Sequence, residues 1–311
     1  MSMKRELRFV VTQRCIYECS FCHGEGLQTV KRDALSIEDF RFIFNVARSQ
    51  FGFDYTTLSG GEPLVRSDIV EIAAGLYYDS GKTTLTTNGF FLDEKLYIGN
   101  YIKRLNVSIH SFNRDVYESI VGRSNVFHRV IYGLKKFRSK YPEVEIRLNT
   151  TVVRGLNSGE KDIDDLLKFA SRLGASIKFV ELYPSSCSGF FPIKEVEIML
   201  MQRGFKQFIS PTRKRDYSDG VIEVGLTKIF CAAAADSEIP SRFCNENNDL
   251  FVSPDGMLKP CRHNLMEVDI LPEVRERDAE KLFLKLKKAF ELLGKNCVAT
   301  GTNMVQRDSS I

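Results

Sequence analysis

The chain has 311 residues, of which 44 are Lys or Arg and 40 are Asp or Glu, so its formal net charge is only +4. Hydrophobic residues make up 43% of the sequence and aromatic residues 11%, which excludes a disordered or low-complexity chain. No apolar stretch approaches the roughly 20 residues of a transmembrane helix, and the amino terminus lacks the apolar core of a signal peptide. We therefore expect a cytoplasmic protein with no membrane span, and the near-neutral charge gives no indication of nucleic-acid binding.

The first two thirds of the chain alternate short β-type segments with amphipathic helical patterns. Strands are predicted at residues 7–11, 55–58, 82–86, 104–109, 144–153 and 177–182, and helices at 37–51, 69–78, 114–121, 127–141 and 162–173. Ser36 and Asp39 are typical of a capping box before the first helix, and Gly52 is typical of its end.

Six strands that alternate with helices predict parallel βα units and an α/β fold, an incomplete (β/α)6 barrel of TIM type. In such barrels the chemistry lies on the loops at the carboxyl ends of the strands. From about residue 200 the alternation fades. We therefore predict a partial barrel over residues 1–200 and a small C-terminal domain over residues 201–311.

Three of the eight cysteines, Cys15, Cys19 and Cys22, follow the first predicted strand with the spacing C-x3-C-x2-C. Three thiolates from one loop can hold three corners of a [4Fe–4S] cluster and leave the fourth iron for a non-protein ligand. The alternative is a zinc site, because His23 follows directly and zinc accepts three cysteines and one histidine.

The next three predicted strands also end in small or hydrogen-bonding residues. Gly60, Gly61 and Glu62 follow the second strand, and residues 86–89 and 108–111 follow the third and fourth. Paired glycines permit a close backbone approach to a ligand, although an ordinary turn also uses them. The recurrence at four strand ends on one edge favours a ligand site.

With these motifs in this order, the chain resembles the radical S-adenosylmethionine (SAM) superfamily. The resemblance implies a [4Fe–4S] cluster bound by Cys15, Cys19 and Cys22, whose fourth iron binds SAM. It implies reductive cleavage of SAM to a 5′-deoxyadenosyl radical that abstracts hydrogen from a substrate, with an electron donor such as flavodoxin or ferredoxin. The residues implied to bind SAM are Phe21 against the adenine, Gly60, Gly61, Glu62, Thr86, Asn88 and Ser108.

Within that superfamily, residues 8–15, 105–108, 149–157 and 178–184 are similar to the GTP 3′,8-cyclase family of molybdenum-cofactor biosynthesis. The resemblance implies substrate contacts by Arg8 and Lys178. It also implies a second cysteine cluster, for which Cys244 and Cys261 have the family's outer spacing.

The sequence departs from this family at three positions that serve its active site. Asn247 stands where the family has the middle cysteine of the second cluster, and Asp249 and Phe251 stand where it has two arginines. The chain also ends at Ile311 without the family's diglycine. An acidic residue in place of an arginine repels a triphosphate. We therefore expect an activity related to GTP cyclisation but different from it, on a small molecule such as a nucleotide or nucleoside.

Cys231, Cys244 and Cys261 are predicted to bind the second iron–sulfur cluster, with Asn247 as a further ligand or a substrate contact. The alternative is that these cysteines are buried free thiols. Cys187, beyond the sixth strand, could donate a hydrogen atom to a product radical, or it is an incidental loop residue.

His110 could serve as a general acid or base with a pKa near neutrality, although a packing role is favoured. Two other functions remain open on this sequence. One is a peptide-modifying radical SAM maturase, and the other is a non-catalytic iron–sulfur or zinc scaffold. The oligomeric state is not predicted.

Overall fold

The computed structural model describes residues 5–22, 24, 32–182, 188–208, 215–227, 249–261 and 266–292. The strands in these ranges are β1 (Glu6–Thr12), β2 (Tyr55–Gly60), β3 (Thr83–Thr87), β4 (Arg104–Ser108), β5 (Glu145–Val152), β6 (Ser176–Glu181), β7 (Lys206–Phe208), β8 (Arg215–Ser218), β9 (Glu223–Thr227), β10 (Asp249–Val252), β11 (Met257–Lys259) and β12 (Val268–Asp269). The helices are α1 (Ile37–Phe51), α2 (Ile69–Ser80), α3 (Arg114–Val121), α4 (Phe127–Lys140), α5 (Glu160–Leu173), α6 (Ile193–Gln202), α7 (Leu271–Glu276) and α8 (Ala279–Glu291). The six predicted strands are confirmed, each end within two residues of the observed end.

All twelve strands belong to one sheet, in the order β12-β11-β10-β1-β2-β3-β4-β5-β6-β9-β8-β7. The strands from β1 to β6 are parallel in chain order, as the alternation predicted, so the α/β fold with a parallel sheet is confirmed. β10 pairs in parallel with β1, and β9 pairs in parallel with β6. These two strands cover the edges that a six-stranded sheet would leave open. The strands after residue 200 thus extend the same sheet, and the separate C-terminal domain stays a prediction.

The two faces of the sheet have different chemistry because side chains alternate along each strand. Leu7, Phe9 and Val11 of β1 are buried in the core that also holds the helices. The ring of Phe9 packs edge-to-face on Phe40 of α1, with 5.1 Å between centroids. The intervening residues, Arg8 among them, therefore lie on the opposite face, which lines the inside of the open barrel.

α1 begins and ends as its sequence predicts. The Ser36 hydroxyl accepts a hydrogen bond from the Asp39 amide at 3.3 Å, and the Asp39 carboxylate accepts one from the Ser36 amide at 2.8 Å. Gly52 closes the helix with φ of +68°, a conformation that favours glycine.

The two C-terminal helices dock on α1. The buried carboxylate of Asp39 forms ion pairs with Arg275 at 2.8 Å and with Arg277 at 2.9 Å. Phe51 of α1 stacks on Phe283 of α8, with 5.3 Å between centroids. These contacts join the last described helices to the first βα unit. None of the helices in the described ranges is long and apolar enough to cross a bilayer.

Candidate active site

The three cysteines Cys15, Cys19 and Cys22 lie on the loop that leaves the carboxyl end of β1. Cys15 and Cys22 are exposed and Cys19 is half-buried. The Cys22 amide donates to the Cys19 carbonyl at 3.0 Å, and the Tyr17 amide donates to the Cys15 sulfur at 3.4 Å. Burial raises the pKa of Cys15 and raises that of Cys19 to about 12. These two thiols are therefore protonated at neutral pH until a metal binds and displaces their protons.

The paired glycines at the end of β2 lie directly against this loop. The Gly61 amide donates to the Thr12 carbonyl at 2.8 Å, and the Glu62 amide donates to the Arg14 carbonyl at 2.8 Å. Gly60 has φ of +150°, and a Cβ there would lie 2.2 Å from the Thr12 oxygen. A Cβ on Gly61 would lie 2.5 Å from the Arg14 oxygen. Glycine is required because two backbones approach more closely than any side chain allows.

The Glu62 carboxylate is fully buried and ties the end of β2 to the end of β3. It accepts hydrogen bonds from the Thr87 hydroxyl at 2.6 Å, the Asn88 amide at 2.6 Å and the Leu64 amide at 2.9 Å. Burial raises its pKa to about 7, against the opposing effect of the three donors. The described contacts of Glu62 are therefore structural, and its contact with the SAM amino group stays a prediction.

Asn88 and Thr86, two further predicted SAM contacts, lie beside the cysteine loop and on the inner face of β3. The Asn88 side-chain amide points at the Cys15 sulfur at 3.9 Å, and its oxygen accepts from the Phe90 amide at 2.9 Å. The Thr86 hydroxyl accepts from the Asn106 amide at 3.1 Å. Ser108 ends the next strand and is half-buried. The structure thus brings these residues to one edge of the sheet.

Phe21 and His110 are in contact next to the cysteine loop. Their rings meet edge-to-face at 4.9 Å, and the buried His110 ring accepts a hydrogen bond from the Thr151 amide through Nδ1 at 3.2 Å. Burial lowers the pKa of His110 to about 4. The expected pKa near neutrality was therefore wrong, because the buried site disfavours the imidazolium. A proton-transfer role for His110 stays a prediction.

We predict that Glu62 and His110 give the metal-free protein opposite pH dependences of stability. The raised pKa of Glu62 stabilises the folded state below about pH 4.5, and this contribution is lost as the pH rises through about 7. The lowered pKa of His110 stabilises the folded state above about pH 6.5, and this contribution is lost as the pH falls through about 4. Each contribution is on the order of 3 kcal/mol over its range.

Urea unfolding of the metal-free protein at pH 5 and pH 7 tests this prediction. Between pH 5 and pH 7, the free energy of unfolding of Glu62→Gln is expected to rise relative to that of wild type, since only the His110 contribution remains. His110→Asn is expected to show the reverse. A pH dependence of the same sign in both variants would contradict the two pKa shifts.

Basic residues line the inside of the barrel. Arg8 of β1 and Lys178 of β6, the predicted substrate contacts, are half-buried there. Arg147 of β5 lies on the same face, opposite the buried Ile146 and Leu148, and burial is the main cause of its lowered pKa. Arg147 was not among the residues predicted from the sequence, although the alternation of its predicted strand could have identified it.

Two asparagines beside Arg147 present unused acceptors. The side-chain oxygens of Asn106 on β4 and Asn149 on β5 are buried and have no hydrogen-bond partner among the described residues. In register, Asn106 pairs with Arg147 and Asn149 pairs with Lys178. Buried polar atoms of this kind ordinarily have a partner. The inner face therefore combines positive charge with acceptors for ligand N–H or O–H groups.

A family model described as the radical SAM superfamily matches residues 9–170. This range is more than half of the chain and includes the cysteine loop, the paired glycines and the ends of β3 and β4. The chain belongs to the radical SAM superfamily.

Sequence identity to known proteins assigns this radical SAM protein to a family within the superfamily. A probable GTP 3′,8-cyclase of Pyrobaculum aerophilum is 32% identical over 300 residues, which cover 92% of each chain. The GTP 3′,8-cyclase of Aquifex aeolicus is 31% identical over 82% of this chain and 81% of its own. By sequence, the radical SAM protein described here belongs to the GTP 3′,8-cyclase family.

Solved radical SAM structures share the fold at low identity. Streptococcus suis SuiB bound to the precursor peptide SuiA superposes with a TM-score of 0.68 over 96% of this chain and 71% of SuiB, at 15% identity. The enzyme anSMEcpe with bound AdoMet gives a TM-score of 0.54 over 95% of this chain and 89% of its own, also at 15% identity. At this identity the similarity establishes the fold.

The cysteine loop fits the cluster of a radical SAM enzyme. In the ranges that the structure describes, no three His, Cys, Asp or Glu side chains converge as the ligands of one metal ion would. In a four-iron cluster each thiolate binds a different iron, so its ligands need no common centre. His23, the fourth ligand of the zinc alternative, lies outside the described residues. Three thiols on one exposed loop therefore suit a cluster with one iron open to SAM.

β10 brings two of the departures from the cyclase pattern next to Arg8. Asp249 pairs in register with Glu6, and Phe251 pairs with Arg8. The Arg8 guanidinium lies over the Phe251 ring at 5.5 Å and donates to the Glu6 carboxylate at 3.0 Å. Arg8 thus contacts an aromatic ring on one neighbour and a carboxylate on another.

The remaining predicted residues of this radical SAM protein lie largely beyond the described ranges. Cys187, Cys231, Cys244 and Asn247 are outside the described residues, so their predicted roles stay predictions. Cys261 follows β11 and is half-buried.

Proposed function

We propose that this radical SAM enzyme abstracts a hydrogen atom from a small molecule of the nucleotide or nucleoside class. The observation that carries the proposal is the pair of hydrogen bonds, Gly61 to Thr12 and Glu62 to Arg14, that hold the glycine segment against the cysteine loop. A cofactor bound at the loop would lie beside the half-buried Gly60 and Gly61. When bound, the cluster and SAM supply the electron and the 5′-deoxyadenosyl radical.

The inner face of the barrel supports an anionic substrate. Arg8, Arg147 and Lys178 lie on one half-buried surface, where charge-assisted hydrogen bonds to phosphate are stronger than in water. A phosphate would compete there with present partners such as Ser176, which accepts from Arg147 at 3.3 Å. The unused oxygens of Asn106 and Asn149 would accept hydrogen bonds from a base or a ribose. A nucleotide combines both kinds of group.

A substrate other than GTP is favoured by the surroundings of Arg8. Phe251 covers its guanidinium, Glu6 accepts a hydrogen bond from it, and Asp249 adds a carboxylate in register with Glu6. These groups reduce the positive potential that a triphosphate needs. We therefore propose a reaction related to GTP cyclisation on a nucleotide with less negative charge, or on a nucleoside.

The proposal includes a second iron–sulfur cluster and an external electron donor. Cys231, Cys244 and Cys261 would bind the cluster. Cys261 follows β11, which pairs with β10 through the turn at residues 253–256. Reductive cleavage of SAM requires one electron, for which we propose a donor such as flavodoxin or ferredoxin and a cytoplasmic location.

The experiment follows 5′-deoxyadenosine formation by the reconstituted enzyme with dithionite, SAM and single ribonucleosides, monophosphates or triphosphates. One of these compounds is expected to accelerate SAM cleavage and to be consumed. For that compound, Arg147→Gln should raise KM by about 10- to 100-fold, because a hydrogen bond between charged groups is lost. SAM cleavage without substrate should be unchanged.

Arg41→Gln is the matched control, since Arg41 lies on α1, away from the inner face of the sheet, and is ion-paired with Asp79 at 2.9 Å. Consumption of GTP in preference to other nucleotides would refute the proposed departure from GTP cyclisation. Acceleration by peptides alone would support the maturase alternative, and a cluster without SAM cleavage would support the scaffold alternative.

A further inference from the structure

The carboxyl end of α3 forms hydrogen bonds with two of the three residues that separate the first two cysteines. The Arg123 guanidinium donates to the Ile16 carbonyl at 2.9 Å. The Glu18 amide donates to the Val121 carbonyl, in the last turn of α3, at 3.0 Å. Tyr17, between them, is buried in the hydrophobic core that includes Tyr117 of the same helix. No regular secondary structure holds the loop at these residues, so these contacts help to determine its course between Cys15 and Cys19.

Gly122 permits this contact in two ways. It caps α3 with φ of +66°, and its amide donates to the Glu118 carbonyl. It also lies against the loop, since a Cβ at this position would be 2.8 Å from the Glu18 oxygen and 3.2 Å from the Glu18 Cβ. A side chain at position 122 would therefore push the segment between the cysteines away from α3.

The helix end also satisfies its own polar groups through this contact. The last carbonyls of a helix have no partner inside the helix. Here the Val121 carbonyl accepts from the loop, and the Arg123 amide donates back to Glu118 at 3.2 Å. Arg123 is thereby held where its guanidinium reaches Ile16. The loop thus donates to the carbonyl of the helix end, and the side chain that follows the helix donates to a carbonyl of the loop.

We infer that Gly122 and Arg123 are positioning residues for the iron–sulfur cluster, because the end of α3 sets the spacing and orientation of Cys15 and Cys19. The inference rests on the proposed function, since it assumes that these cysteines bind the cluster. α3 follows β4, whose end carries Ser108 and His110. The helix therefore couples the cluster loop to the strand ends that are predicted to hold SAM.

Gly122→Ala tests the inference, and Gly174→Ala is its matched control. Gly174 caps α5 with φ of +63°, but no atom lies within 4 Å of the position of its Cβ. Both variants carry the same backbone strain, and only Gly122→Ala displaces the loop. Gly122→Ala is expected to lose iron to a chelator about ten times faster than wild type, as when a group that orients a metal ligand is removed. The EPR spectrum of its reduced cluster, with and without SAM, should also change.

Arg123→Gln keeps the inference testable if Gly122→Ala does not fold. It should accelerate iron loss in the same direction, and Arg123→Lys should restore part of the wild-type rate because lysine can still donate to Ile16. Arg138→Gln is the control, since Arg138 donates to the Pro142 and Val144 carbonyls before β5. Equal iron loss and identical EPR spectra in Gly122→Ala and Gly174→Ala would overturn the inference.

The outcome separates this inference from the proposed function. If wild type binds no [4Fe–4S] cluster or does not cleave SAM, the proposed function fails. If wild type does both and the α3 variants behave like their controls, only the positioning role fails.

Discussion

Cys19→Ala is expected to abolish 5′-deoxyadenosine formation while leaving the barrel folded. Cys19 lies between the other two cysteines of the loop, and its loss leaves two thiolates for a cluster that needs three from this loop. The residue is half-buried in a loop outside the strands, so loss of its sulfur, which leaves a methyl group as the side chain, changes little of the core. Reduced activity therefore reports loss of the cluster and not unfolding. Far-UV circular dichroism and the thermal midpoint verify that the barrel stays folded.

Iron and sulfide analysis of the anaerobically reconstituted protein completes this prediction. With two clusters, wild type should hold about eight iron per chain, and the Cys15/Cys19/Cys22 triple alanine variant about four. With the SAM cluster alone, the numbers are about four and none. Cys297→Ala is the control, because Cys297 belongs to neither predicted set of cluster ligands. Retained 5′-deoxyadenosine formation by Cys19→Ala would refute the assignment of the cluster loop.

Gly61→Ala is expected to destabilise the protein by about 3 kcal/mol and to weaken SAM binding, because overpacking against fixed backbone is costly. The added Cβ would lie 2.5 Å from the carbonyl oxygens of both Gln13 and Arg14. Neither backbone can move without breaking the hydrogen bonds from Gly61 to Thr12 and from Glu62 to Arg14. The cysteine loop and the end of β2 would therefore separate.

Chemical unfolding of the metal-free protein measures the stability, and equilibrium dialysis of the reconstituted enzyme measures SAM binding. Gly75→Ala in α2 is the matched control. A Cβ on Gly75 would meet the Arg41 side chain at 2.8 Å, and a long side chain can move aside. Equal stability and equal SAM affinity in the two variants would show that the close approach at Gly61 has no consequence.

Local patterns were sufficient for much of the fold and for the cofactor loop. The strands of the first six units have clear alternation, and the capping box of Ser36 and Asp39 marks the start of α1 as predicted. C-x3-C-x2-C and the glycine pair are short segments whose chemistry depends on neighbouring residues. The parallel order of the strands predicted that both segments lie at the carboxyl edge of the sheet.

Contacts between residues far apart in the chain were not predictable in this way. β9 and β10 are short strands, and their parallel pairing with β6 and β1 depends on the edges that those strands expose. The contact between α3 and the cysteine loop joins Arg123 to Ile16, residues more than 100 positions apart. A single sequence carries no periodic signal for such a pair.

The sequence by itself determined the superfamily, the α/β class and the cysteines of the cofactor loop, because these depend on residue type and local spacing. The tertiary structure decided how the loop is held, why Gly60 and Gly61 carry no side chain, and that burial moves the pKa of His110 to about 4. It also brought Arg147, Lys178 and Arg8 to one inner face. Burial and close approach are properties of the packed chain, and they arise only when distant segments exclude water from one another.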